Sequence, residues 1–130
     1  MSVQLLLDTH AFVWWLDGDR RLSPRARRRI ADAKSQIFVS AVSVWEITTK
    51  ARLGKLPGAL DVATDVPGCI LSQGFSGLDI SLAHAQRAGT LAGVHRDPFD
   101  RLLIAQAQVE HLTLVSRDEI FDGYGIARLW

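Results

Sequence analysis

Cysteine is almost absent from this chain: Cys69 stands alone, so no internal disulfide is possible and the fold requires no oxidising compartment. Long apolar runs are missing as well. The longest, Ala11–Leu16, spans six residues, far short of the roughly 20 needed to cross a bilayer. No basic segment leads into a long apolar stretch, so a secretory signal is not expected and the cytoplasm is the expected compartment. Lysine is scarce, since arginine supplies 12 of the 15 basic residues, and aspartate supplies 11 of the 14 acidic ones. The net charge of only +1 argues against a protein that coats nucleic acid through bulk charge. Arginine excess is first a matter of composition, although its planar fork also suits local phosphate contacts. The chain has no G-x-x-x-x-G-K-S/T, no G-x-G-x-x-G and no G-x-S-x-G. Most nucleotide-binding readings and a serine hydrolase elbow are thereby removed.

What remains is an ordinary globular composition. The chain has 130 residues, of which 48% are hydrophobic and 22% charged, enough for a single domain with one real core. Short apolar runs alternate with helical patterns. Val3–Leu7 reads as a buried strand, Thr9–Leu16 as a helix stopped by Gly18, and Ser23–Pro24 as the cap and first residue of a helix reaching about Lys34. Ile37–Val39 is a second strand ending at Ser40, followed by a helix over Ala41–Arg52 that Gly54 and Pro57 terminate. Asp61–Gln73 reads as a helix interrupted at Pro67–Gly68. Phe75–Ile80 is a strand, Ser81–Leu91 a helix, and Asp97 with Pro98 opens a helix running to about His111. Thr113–Ser116 and Ile126–Leu129 complete the strands. The alternation predicts an α/β fold of three layers around a mainly parallel sheet.

Ligands of such sheets bind beyond the carboxyl ends of the strands, and acids gather there. Asp8 follows the first strand, Glu46 lies in the helix after the second, Asp100 lies in the first turn of a later helix, and Asp118 comes two residues after Ser116. Each has an ordinary explanation. Asp8 suits a helix cap, Asp118 a turn, Asp97 the cap before Pro98, and Asp100 the favourable end of the helix dipole. Helical geometry argues further for two of them. Asp100 shares a stripe with Leu103, Ile104 and Ala107, so it looks toward packed structure. Glu46 lies about 40° from Val42 and about 20° from Leu53 on the helical wheel, and a carboxylate bordering an apolar face requires compensation. Lys50, at i+4, is one compensating partner, and a divalent cation shared with the other acids is the other. Oxygen-only ligands select Mg2+ or Mn2+ rather than zinc. The histidines (His10, His84, His95 and His111) show no paired ligand spacing. Acids that share a cation can hold a phosphodiester and activate water, which is metal-dependent hydrolysis without a covalent intermediate.

These residues resemble the PIN-domain ribonucleases, and in particular the VapC-type toxins of toxin–antitoxin pairs. The resemblance rests on LLLDTH at 5–10, SAVSVWEITTKARLGKL at 40–56, DPFDRLLIAQA at 97–107 and LTLVSRDEIF at 112–121, in that order along nearly the whole chain. It implies that Asp8 is a principal metal ligand, that Glu46 orients water or lies near the metal, that Asp100 stands opposite Asp8, and that Asp118 acts often through water. Thr9 and Ser40 match small polar supports of the site, and Asp97 a cap able to reach it indirectly. The resemblance further implies Mg2+ or Mn2+, RNA as substrate, a homodimer, and a cognate antitoxin that blocks the active-site groove.

Among the basic residues, Lys50, Arg101 and Arg117 lie nearest the acids in sequence and are the expected RNA contacts. The dense run Arg20, Arg21, Arg25, Arg27, Arg28 and Arg29 is more simply a solvated helix face than an RNA guide. Trp14 and Trp15 are expected in the core or at a dimer surface rather than as base-stacking platforms. Two alternatives differ in class from a toxin endoribonuclease: a catalytically silent module that binds RNA or protein, and a nuclease directed at DNA.

Overall fold

The computed structural model describes residues 3–55, 60–93 and 97–130; Pro57 and His95 lie outside the described residues. Five parallel strands form one sheet in the order β3-β2-β1-β4-β5: β1 (Val3–Leu7), β2 (Ser35–Ser40), β3 (Ser76–Leu78), β4 (Thr113–Val115) and β5 (Arg128–Leu129). Among the described residues seven helices connect them: α1 (Thr9–Asp17), α2 (Pro24–Ala31), α3 (Ala41–Arg52), α4 (Leu60–Thr64), α5 (Val66–Ser72), α6 (Leu82–Thr90) and α7 (Pro98–Glu110). A 3-10 helix over Glu119–Tyr124 precedes β5. The expected α/β architecture is therefore present, with every strand pairing parallel.

Strand β1 is central, and its three leucines explain the layering. Leu5, Leu6 and Leu7 are all fully buried, as a strand covered on both faces requires. Leu5 and Leu7 pack with Phe12, Leu22, Ala26, Ile30 and Ile70 on one face. Leu6 packs with Leu103, Ile104, Leu114 and Phe121 on the other. Full burial of each such side chain contributes about 1.5–3 kcal/mol. The chain lays down β1, β2 and β3 in one direction and then crosses to place β4 on the far side of β1. The order therefore reverses between β1 and β4, and at such a point a parallel sheet opens a crevice.

Several boundaries differ from the sequence reading, among them β5, which begins at Arg128 rather than Ile126. Helix α2 ends at Ala31, short of Lys34, because Asp32 turns extended and its side chain accepts from the Lys34 N–H at 2.9 Å. The interruption expected at Pro67–Gly68 falls instead at Asp65, whose carboxylate caps the Gly68 N–H. Pro67 then sits in the first turn of α5, where its missing N–H costs nothing. Strand β3 is confined to Ser76–Leu78, within the longer Phe75–Ile80 run.

Candidate active site

At the carboxyl edge of the sheet a cleft of about 620 Å³ is lined by Asp8, Glu46, Asp97, Asp100 and Asp118 together with Thr9, Lys50 and Arg117. Sequence-distant acids thus meet in one place. Each arrives by a different local device.

Asp8 is fixed by the strand before it and the helix after it. Its backbone N–H donates to the Val115 carbonyl at 3.0 Å, extending the β1–β4 ladder by one residue. Its Oδ1 accepts the Ala11 N–H at 2.8 Å, so it caps α1 as well as lining the cleft. Burial pushes its carboxyl above the usual range, and the nearby Asp100 charge adds to that shift. A hydrogen bond from Ser116, the Ala11 N–H and the charge of His10 act in the opposite direction.

Glu46 has both oxygens engaged. Thr9 Oγ1 donates to Oε1 at 2.7 Å and Lys50 Nζ donates to Oε2 at 2.6 Å. Thr9 Oγ1 also lies 2.9 Å from Ser43 Oγ. A hydroxyl carries one proton, and that of Thr9 is committed to the carboxylate, so Ser43 donates to Thr9. A directed chain, Ser43 to Thr9 to Glu46, therefore runs from the buried core into the cleft. The lysine pair, one of the two compensations expected for Glu46, is formed.

Asp97 and Asp100 stand one turn apart with different environments. Asp97 is exposed, and its Oδ1 accepts the N–H groups of Phe99 and Asp100 as the cap of α7. Asp100 is half-buried above Leu103 and within electrostatic reach of Asp8. Asp118 is exposed and caps the 3-10 helix through the Ile120 N–H.

Two expected residues go elsewhere. Ser40 is buried as the cap of α3, accepting from the Val42 N–H, and is not among the cleft-lining groups. Arg101 donates to the carbonyls of Ala88 and Leu91 at the end of α6. It ties α6 to α7 instead of entering the cleft, because its position in the helix faces α6. Sequence reasoning also missed residues. Ser43 and Ser116 are fully buried hydroxyls that hold Thr9 and Asp8, and His10, Trp14 and Glu119 line the cleft. A polar residue directly after the apolar β4 run was the one available signal for Ser116. Ser43 had one too, lying three residues before Glu46.

Among the described residues no three acidic, histidine or cysteine side chains draw close enough to enclose a metal ion by themselves. A hard cation does not need that. Mg2+ keeps several waters and is commonly held by one or two carboxylates. The donors are all oxygen, and Asp8 and Asp100 repel one another across a buried position. The residues present therefore fit a hydrated divalent cation.

Residues 5–126 match the PIN domain family. This chain belongs to that family. The PIN domain is 40% identical over 58 residues to Ribonuclease VapC16 of Mycobacterium tuberculosis, a stretch covering 45% of this chain and 41% of that protein. Its fold is similar to that of VapBC2 from Rickettsia felis, solved bound to a promoter DNA fragment, with a TM-score of 0.72, 17% identity and 98% of each chain covered. It is also similar to Mycobacterium tuberculosis VapC20, a toxin that cleaves the sarcin–ricin loop. There the TM-score is 0.67 at 16% identity, over 95% of this chain and 96% of the other. At those identities the two structures speak to the fold. Among the described residues no helix is long and apolar enough to cross a membrane.

Proposed function

We propose that this PIN domain is an endoribonuclease that hydrolyses RNA phosphodiester bonds with a divalent cation, Mg2+ or Mn2+, and that it is the toxin of a toxin–antitoxin pair. The observation that carries the reading is the meeting of Asp8, Glu46, Asp100 and Asp118 in one cleft at the β1/β4 crossover, with Asp8 buried. A buried acid beside other acids is costly unless a cation compensates it. The likeness to VapC16 and VapC20 supports RNA as the substrate.

Asp8 and Asp100 are the residues that would hold the cation, with Asp118 at the rim. When bound, the cation supplies Lewis-acid polarisation of a phosphate oxygen and lowers the pKa of a water. The remaining work belongs to the chain. Ser116 and the Ala11 N–H orient Asp8. Glu46, anchored by Thr9 and Lys50, presents a fixed negative charge beside the reacting region, where it orients water. Lys50 offsets that charge, so a polyanion meets less repulsion at this wall. Asp97 shapes the start of α7 and thereby sets where Asp100 stands. A chain that cuts RNA in its own cell must be held inactive until needed. On that ground a cognate antitoxin is inferred, a reading supported by the likeness to VapBC2, and a homodimer is inferred from the sequence resemblance to VapC-type toxins.

The test is incubation of labelled tRNA, ribosomal RNA fragments and DNA of matching sequence with purified protein in Mg2+, Mn2+ or chelator. Discrete RNA fragments that require metal are expected. Binding of RNA without cleavage in either metal contradicts the hydrolytic reading, and preferential cutting of DNA contradicts the substrate.

A further inference from the structure

Trp14 was expected to be a core residue, and at 5% exposure it is one. It also forms part of the cleft wall, and its indole gathers an unusual set of neighbours. The guanidinium of Arg117 lies 4.8 Å from the ring centroid and that of Arg21 lies 5.0 Å from it. His10 stacks on it at 5.3 Å with 20° between the planes, and Trp130 meets it edge-on at 6.0 Å. A ring pinned between an imidazole and a second indole cannot rotate freely, so it holds both guanidiniums at defined positions.

The charges of the cleft make this arrangement matter. Five aspartates and glutamates of the cleft wall have been placed above, and Glu119 is a sixth. Lys50 is spent on Glu46 at 2.6 Å. Arg21 is partly spent on Asp19, whose carboxyl it lowers to about 2. Arg117 is exposed, and among the described residues it enters no salt bridge. A guanidinium laid on an aromatic face uses its own face for that contact, and its N–H edges stay available for phosphate oxygens.

We propose that Trp14 with Arg117 and Arg21 forms a phosphate-holding wall at the cleft that grips the RNA backbone beside the scissile bond, Arg117 being the principal donor and Arg21 the second. The proposal rests on the ribonuclease reading and deepens it by assigning substrate contacts. It also explains how a polyanion is retained next to six acids. Trp14 acts as a positioning residue, since its ring places the two arginines.

The test is a binding measurement, separate from cleavage. A short fluorescein-labelled single-stranded RNA is titrated, in Mg2+ and over a range of KCl, with Asp100→Asn protein and with the same protein carrying Arg117→Ala, Arg21→Ala, Trp14→Phe or Arg87→Ala. Arg87 lies in a separate depression between α6, α7 and the β5 approach, and serves as the control. Arg117→Ala is expected to weaken binding about tenfold and to reduce the slope of log affinity against log salt by about 0.7, the loss of one single-strand phosphate contact. Arg21→Ala and Trp14→Phe should weaken binding less, and Arg87→Ala should change neither quantity. If Arg117→Ala and Arg21→Ala both match Arg87→Ala, or if the Asp100→Asn protein binds no RNA, the wall is overturned. Cleavage by wild-type protein is scored independently. Cleavage with unchanged salt slopes overturns the wall alone, whereas reduced slopes without cleavage support the wall and overturn the hydrolytic reading.

Discussion

Ser116 stands beside Asp8 at the ends of adjacent strands: its hydroxyl lowers the Asp8 carboxyl against the upward push of burial, while Ser116 Oγ accepts the Asp118 N–H at 3.1 Å. One fully buried hydroxyl therefore sets two of the four acids. Removing a hydrogen bond to a buried charged group costs about 1.5–3 kcal/mol. Ser116→Ala is expected to lower unfolding stability by roughly that amount, to raise the Asp8 pKa further, and to weaken Mn2+ binding. Denaturant melts and calorimetric Mn2+ titration check this. Unchanged values in both would mean that the hydroxyl does not organise the site.

Asp8 also gives a pH prediction. Its folded pKa is raised above the value of an unfolded aspartate, chiefly by burial. The folded protein therefore binds more protons than the unfolded chain in the window between the two values, and stability falls as pH rises through it. At neutral pH, above the ordinary aspartate range, this upward shift is a net cost to the metal-free protein. Asp8→Asn keeps an oxygen for the Ala11 N–H and removes the charge. It should raise the melting temperature in chelator at pH 7 by a few degrees, with the gain shrinking as pH falls toward the ordinary aspartate range. A gain of equal size at pH 7 and pH 4 would contradict the burial argument.

Thr9→Val removes the hydroxyl between Ser43 and Glu46 at nearly constant volume. Glu46 Oε1 and Ser43 then lose their partner, an expected cost of about 1–3 kcal/mol. The cleavage rate should fall because Glu46 is held by Lys50 alone. Thr9→Ser, which restores the hydroxyl, should recover most of the rate. Equal rates for Thr9→Val and wild type would remove Glu46 positioning from the account.

Arg101→Ala separates a structural from a substrate role. Its guanidinium caps the last carbonyls of α6, so a loss of about 1–2 kcal/mol in stability is expected. RNA affinity and its salt dependence should be unaltered below the melting transition. A reduced salt slope would return Arg101 to the substrate contacts.

Much of the fold was legible because each local signal agreed with the whole. Asp8, Ser23 and Asp97 cap helices where the sequence places them, and Gly18 closes α1 in the left-handed region at φ 62°. The Val3–Leu7 run correctly read as a buried strand. The four acids were legible from their places at strand ends and from the helical stripe carrying Asp100. What escaped was set by tertiary contact. Nothing in the spacing around Arg101 says that it turns to α6, and nothing around Trp14 says that residues 10, 21, 117 and 130 meet on one ring. The break at Asp65 escaped for a local reason, since proline in a first turn starts a helix as readily as proline mid-helix ends one.

We propose that Asp8 and Asp100 hold a divalent cation that makes this PIN domain a ribonuclease. Single-turnover cleavage of labelled RNA by wild-type and Asp100→Asn protein, side by side across a Mn2+ titration, tests it most directly. Metal-dependent fragments from the wild type and a loss of at least about a hundredfold in the variant, with both proteins equally folded, are the predicted result; effects of this order are usual when a charge-stabilising group is removed. Equal cleavage by the two proteins at limiting Mn2+ would contradict it.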